Sequence, residues 1–160
     1  IDFFFFWLDL FNLSIMADYD QLICLPQLTS IDKYWYQIET ARKVLRQFGG
    51  RALLADEVGL GKTIEAGLIC AEYLARGMVS SMLILTPASL VSQWQQELDQ
   101  KFGITTVTTD ERDPQQSLAE FWMENPRIVA SLNTAKSAKQ FAHVTGRTWD
   151  LVVVDEAHHL

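Results

Sequence analysis

One octet constrains this chain more than any other feature: Asp56-Glu57-Val58-Gly59-Leu60-Gly61-Lys62-Thr63, set between an apolar run and a helix-periodic stretch. Glycines at such a turn let the backbone curl around a phosphate with successive N–H groups facing inward. A helix that begins directly afterwards adds its positive N-terminal end. Lys62 is placed for β- and γ-phosphates, and the Thr63 hydroxyl for Mg²⁺. Asp56 stands where the general phosphate-loop pattern has its first glycine. A loop of this kind sits between a strand and a helix, which commits the chain to an α/β fold.

The flanking sequence supplies that alternation. Ser30 is positioned to cap a helix running to about Phe48, with Gly49-Gly50 as its stop. Residues 51–55 read as a short buried strand. Residues 62–76 carry Ile64, Leu68, Ala71 and Leu74 at helical spacing. Residues 81–86 read as a second buried strand, and 88–102 as a helix with Leu90, Trp94 and Leu98 on one face. Trp94 reads there as core packing. Residues 105–109 form a β-branched strand, and Asp113-Pro114 opens a helix ending near Glu124. Residues 127–131 are a strand, 134–142 a helix, and Leu151-Val152-Val153-Val154 the clearest buried strand. Continuous apolar strands alternating with helices imply a parallel sheet covered on both faces.

The chain has 160 residues, room for one domain. A composition of 49% hydrophobic and 21% charged residues excludes a disordered chain. Thirteen basic against 20 acidic residues give a formal charge of −7. That excludes a surface basic throughout, while leaving room for a local basic groove. Cys24 and Cys70 fit no metal or disulfide pattern and read as reduced thiols. No window supplies the ~20 apolar residues of a membrane span. The nearest, residues 1–16, holds Asp2 and Asp9 and lacks the basic start of a signal peptide. Six aromatic residues crowd the first 11 positions, and Met16-Ala17-Asp18 reads as a more natural start. Residues 1–15 are therefore either an unrelated extension or a hydrophobic element packed on the domain.

A second motif, Asp155-Glu156-Ala157-His158, follows directly on the apolar run at 151–154. Open α/β sheets bind ligands beyond the carboxyl ends of their strands. Asp155 is placed to hold Mg²⁺ through water, and Glu156 to orient or deprotonate an attacking water. His158 and His159 are chemically able to bind a metal, but no further His/Cys cluster accompanies them.

Together the two motifs resemble the motor core of helicase superfamily two, of the DEAD/DEAH-box type. The octet continued by Ile64-Glu65-Ala66-Gly67 is similar to the SWI/SNF-type branch, and within it to the RapA-like RNA-polymerase-associated ATPases. The resemblance covers residues 30–160 and implies a RecA-like P-loop NTPase lobe. It implies ATP and Mg²⁺ as ligands. Gly59, Leu60, Gly61, Lys62 and Thr63 would cradle the phosphates, Thr63 and Asp155 would serve the metal, and Lys62 and Glu156 would be catalytic. Tyr36-Gln37 resembles the Q motif, whose amide can pair with adenine. Thr86-Pro87-Ala88-Ser89, followed by Gln93-Trp94, resembles motif Ia, which implies nucleic-acid backbone contacts at Thr86, Pro87 and Ser89. Ser131-Leu132-Asn133 lies where motif Ib would be.

The resemblance further implies a cytoplasmic prokaryotic translocase on double-stranded DNA, serving RNA polymerase or a defence complex. An RNA helicase, a restriction motor subunit and a nucleotide-binding module without motor activity are the alternatives. Family members continue with a third motif, whose strand lies between the phosphate-loop strand and the Asp155 strand, and then with a second lobe carrying arginine fingers. The expected organisation is thus a hydrophobic extension over 1–15 and an incomplete N-terminal part of a helicase ATP-binding domain over 16–160. Such a part is expected to bind nucleotide weakly and turn it over negligibly.

Overall fold

The apolar runs at 82–86, 127–131 and 151–154 become the three long strands of one sheet. In this computed structural model, residues 21–28, 30–32, 34–47, 51–55 and 61–157 are described. The strands are β1 (Met82–Thr86), β2 (Val107–Thr108), β3 (Arg127–Ser131) and β4 (Leu151–Val154). All pair in parallel, in the order β2-β3-β1-β4. Met82 stands opposite Arg127 on one side and Leu151 on the other, so the carboxyl ends of β1, β3 and β4 finish together.

Alternation along the strands sorts the core into two layers. Met82, Ile84 and Val129 pack with the helices α1 (Trp35–Gln47), α2 (Lys62–Ala75) and α3 (Val91–Phe102). Leu83, Ile128 and Ala130 face Phe121, Trp122, Ala135 and Val144 on the opposite side. Those residues belong to α4 (Leu118–Glu124), α5 (Leu132–Lys136) and α6 (Phe141–Thr145). Both faces are covered, as a parallel sheet of apolar strands requires. Phe121 and Trp122 are fully buried and meet edge to face, so truncating either to alanine would cost about 3–5 kcal/mol.

Several elements differ from the sequence expectation, each for a local reason. The first helix starts at Trp35 rather than after Ser30, because its buried stripe of Gln37, Ala41, Val44 and Leu45 begins only there. The helix expected from Asp113-Pro114 starts at Leu118, because Ser117 and Glu120 form a reciprocal capping box. Those hydrogen bonds hold the Glu120 carboxyl below its ordinary pKa. The helix expected over 134–142 breaks in two at Ser137, whose hydroxyl donates to the Thr134 carbonyl. The strand expected over 105–109 shrinks to two paired residues.

Residues 51–55 are not a strand. They join no ladder, and Leu53 is 80% exposed. Apolar side chains make a strand only where a neighbour accepts the backbone hydrogen bonds. No strand among the described residues stands between this segment and β4, whose Val152 is 48% exposed at the sheet edge.

The far end of α2 is fixed by a device the sequence did not announce. Glu72, completely buried, accepts hydrogen bonds from the backbone N–H groups of Ile23 and Cys24 and from Arg76 Nε. Arg76 in turn donates to the Gln21 carbonyl. A buried carboxylate is tolerable only with such partners. Burial, with Glu72 beside it, pushes the Cys24 thiol up to about 12, and burial alone pushes Cys70 up to about 12. Both stay protonated and free. No helix among the described residues is long and apolar enough to cross a membrane.

Candidate functional site

The carboxyl edge of the sheet faces the start of α2 across a cavity of about 540 Å³. Lys62, Thr63, Asp155 and Glu156 all line it, with Trp94 and Val153 among its apolar walls. These four side chains are thus brought together, although Lys62 and Glu156 are 94 positions apart.

Gly61 starts the helix in the left-handed region, at φ 85°, and its carbonyl accepts from the N–H groups of Ile64 and Glu65. A side chain there would be strained by that φ and would also strike Gln37, whose Nε2 lies 2.6 Å from where a Cβ would stand. Gln37 is 4% exposed and packs its amide against Gly61. The residue expected to face adenine is therefore seated beside the phosphate-loop end. Lys62 and Thr63 follow in the first turn of a 14-residue helix, half-buried, where its positive end lies. Gly59 and Leu60, and with them most of the expected loop, lie outside the described residues, as do His158 and His159.

Asp155 is held from three directions. Its N–H donates to the Leu85 carbonyl at 2.8 Å, which extends the β1–β4 ladder by one step. Its Oδ2 accepts from Trp94 Nε1 at 2.8 Å and from Thr86 Oγ1 at 3.2 Å. Its Oδ1 accepts from the Glu156 N–H at 2.9 Å. Glu156 has φ 51° and is exposed. For a residue with a Cβ that conformation costs about 1–3 kcal/mol and recurs at working sites.

The donor chemistry fits Mg²⁺. Mg²⁺ is commonly bound by one or two carboxylates together with substrate phosphates and water, rather than by an all-protein cage. Asp155 and Thr63 offer one carboxylate and one hydroxyl to the same cavity, and no group of three metal-binding side chains occurs among the described residues.

The motif Ia corner corrects one expectation. Thr86 is fully buried and spends its hydroxyl on Asp155, so it does not reach the surface as a phosphate contact. Pro87 is half-buried and Ser89 is exposed, in a 3₁₀ turn at 88–90 that leads into α3. Ser131, in the expected motif Ib, caps α5 through the Thr134 N–H.

Trp94 is the residue whose second role the sequence reading missed. It is indeed core, at 3% exposed, but its indole N–H reaches the Asp155 carboxylate. Tryptophan carries a donor that needs an acceptor when buried. A tryptophan one turn into the helix after β1, beside a strand ending in aspartate, was the available signal.

Comparison with known proteins agrees with this architecture. Residues 27–160 match the SNF2-related domain. The chain is 46% identical over 136 residues to the uncharacterized ATP-dependent helicase YqhH of Bacillus subtilis, covering 85% of this chain and 23% of that protein. It is 40% identical over 131 residues to the RNA polymerase-associated protein RapA of Proteus mirabilis, covering 78% and 13%. The chain thus spans under a quarter of the length of these curated relatives. Among solved structures it is similar to the SWI2/SNF2 ATPase core of Sulfolobus solfataricus in complex with dsDNA. The TM-score is 0.66 at 20% identity, over 81% of this chain and 27% of that one, a likeness of fold. With a parallel sheet, a helix opening on Gly61-Lys62-Thr63 and a family match over most of its length, the chain belongs to the SNF2-related domain family, the SWI/SNF-type branch of helicase superfamily two.

Proposed function

We propose that this chain is the first nucleotide-binding lobe of an ATP-dependent motor that moves along duplex DNA. The observation that carries the reading is one cavity lined by Lys62 and Thr63 from α2 and by Asp155 and Glu156, which directly follow β4. ATP would enter there with its phosphates against the N–H groups of Gly59, Leu60 and Gly61, and its base towards Gln37. The Lys62 ammonium offsets charge on the outer phosphates. Thr63 and Asp155 would hold Mg²⁺, which supplies further neutralisation of phosphate charge when bound. The Glu156 carboxylate orients a water in line with the γ-phosphorus and takes its proton. The water oxygen bonds to the γ-phosphorus as the bond from that phosphorus to the bridging oxygen breaks, and ADP leaves with the electron pair.

The Pro87–Ser89 corner, which leads into α3 and exposes Ala88 and Ser89, suits a nucleic-acid backbone through the Ser89 hydroxyl and the N–H groups after Pro87. Two similar proteins support the choice of partner: the solved SWI2/SNF2 core is in complex with dsDNA, and RapA is RNA polymerase-associated. Residues 16–160 alone would bind nucleotide weakly and turn it over negligibly. An arginine supplied across a second lobe is worth about 10³–10⁵ in rate in related phosphoryl transfers.

The test is ATPase activity of the full-length native protein with duplex DNA, single-stranded RNA or neither. Stimulation by duplex DNA, lost in Lys62→Ala, is the expected result. Stimulation by RNA alone would make it an RNA helicase. No ATPase under any condition would leave a nucleotide-binding module.

A further inference from the structure

Asp155 has its two carboxylate oxygens in unequal positions. Oδ2 takes two donors, the Trp94 indole N–H and the Thr86 hydroxyl, while Oδ1 takes one, the Glu156 N–H. A carboxylate oxygen accepts about two hydrogen bonds. Oδ2 is therefore the more heavily bonded of the two, and Oδ1, with a single donor, has the greater capacity left to offer. Rotating the carboxylate would break the shorter bond, 2.8 Å from Trp94. That bond is hard to give up, because Trp94 is 3% exposed and its N–H would be left unpaired in the core.

The bond also joins elements that the backbone ladder does not. Trp94 sits in α3, Thr86 ends β1, and Asp155 follows β4. Met82, Ile84 and Thr86 face the same layer as Leu151, Val153 and Asp155, since side chains alternate along parallel strands in register. The sheet thereby aims Asp155 at α3, and α3 meets it with its one buried donor.

We propose that Trp94 is a positioning residue: with Thr86 it fixes which oxygen of Asp155 stays open to the cavity, and so sets the affinity for Mg²⁺-bound nucleotide. This rests on the ATP-site reading above. Partners that orient a metal-holding side chain typically change metal affinity by about 10–100-fold when removed.

The experiment uses the full-length protein and a fluorescent ATP analogue, titrated with Mg²⁺ and also in excess EDTA. Trp94→Phe keeps an aromatic ring and removes the N–H. It should bind the analogue in EDTA within about twofold of wild type and need about 10-fold more Mg²⁺ for half-saturation. Trp94→His, which returns a ring N–H, should recover part of the shift. Thr86→Val, nearly the same shape without the hydroxyl, should shift the Mg²⁺ midpoint the same way by less. A Trp94→Phe midpoint unmoved from wild type overturns the proposal. So does an equal loss in EDTA and in Mg²⁺, which marks packing alone. If Trp94→Phe does not fold, Thr86→Val decides: a raised midpoint supports the assignment and an unchanged one overturns it. Wild-type protein that binds no analogue at all sinks the ATP-site reading and this inference together. Wild type that depends on Mg²⁺ beside an unmoved Trp94→Phe sinks this inference alone.

Discussion

The two ends of β4 carry the same device and put it to different use. Before the strand, Asp150 Oδ2 accepts from the Ser80 N–H, the Ser80 hydroxyl and the Ser81 N–H, all within 2.7–2.9 Å. After the strand, Asp155 accepts from Trp94, Thr86 and Glu156. Each aspartate ties the edge strand to the flank of β1. Asp150 takes its donors from the Ser80-Ser81 turn, all on one oxygen, and is not among the residues lining the cavity on which Asp155 opens. Asp155 takes donors from a helix, a strand and its own neighbour, spreads them over two oxygens, and opens on the 540 Å³ cavity. A strained Glu156 follows Asp155, and nothing of that kind follows Asp150. In a parallel sheet the carboxyl ends of strands face the ligand crevice, and the other ends serve stability. The contrast predicts that damage at the two ends separates cleanly into lost chemistry and lost stability.

The largest effect should come from Glu156→Gln at the carboxyl end. It keeps shape and hydrogen-bonding reach but cannot take a proton. ATP turnover by the full-length protein should fall by about 10²–10⁴ while nucleotide binding holds. Normal turnover in this variant would remove Glu156 as the base.

Asp155→Asn comes next. Its amide must present either an N–H₂ group to the donors of Trp94 and Thr86 or its single oxygen to them with the N–H₂ towards the cavity. The first sets donor against donor and the second puts an N–H₂ group where the open oxygen stood, and in both the negative charge that attracts the metal is lost. Half-saturation by Mg²⁺ in nucleotide binding should rise by about 10–100-fold. An unchanged Mg²⁺ midpoint would break the contrast at its functional end.

Glu156→Gly sharpens the contrast from the stability side. At φ 51° glycine carries no side-chain penalty of about 1–2 kcal/mol, though it raises the entropy of the unfolded chain. The variant should be inactive and yet as stable as wild type, or more stable by up to about 1 kcal/mol in denaturant melts. A clear loss of stability would mean that Glu156 holds the strand end together.

The sequence and the structure agree best where a pattern is local. β1, β3 and β4 were legible because each centres on a short run of apolar, mostly β-branched or aliphatic residues, although Val152 of the edge strand β4 is exposed. Lys62, Thr63, Asp155 and Glu156 were legible because a helix start and strand ends are marked by their own residues. What was misread depended on neighbours. Residues 51–55 have strand composition, but pairing is a property of two segments. Thr86 was read by its place in a motif, whereas the strand's period of two puts it on the face of Met82 and Ile84, inward to Asp155. Trp94 was correctly read as core, but its acceptor lies 61 positions away and no periodicity along one helix could name it.

The smallest effect should come from Asp150→Asn, and its pH dependence tests why the amino end of β4 is held. Donation by the Ser80 hydroxyl, with the backbone N–H groups of Ser81 and Ser80, holds the Asp150 carboxyl well below the usual carboxylate range. A folded-state pKa below the unfolded value of about 3.9 means that the charged form is favoured by folding. The stabilisation is therefore complete above about pH 5 and fades as the pH falls through 3.9 towards the lowered folded value. Asparagine keeps one acceptor oxygen and loses the charge. At pH 7 the variant should melt a few degrees below wild type, with nucleotide binding and its Mg²⁺ midpoint unmoved. At pH 3 the two melting curves should draw together, since wild type has by then lost part of what the variant never had. A gap that persists or widens in acid would show that Asp150 acts by shape rather than by charge. A moved Mg²⁺ midpoint would show that the two ends of the strand are coupled through β4.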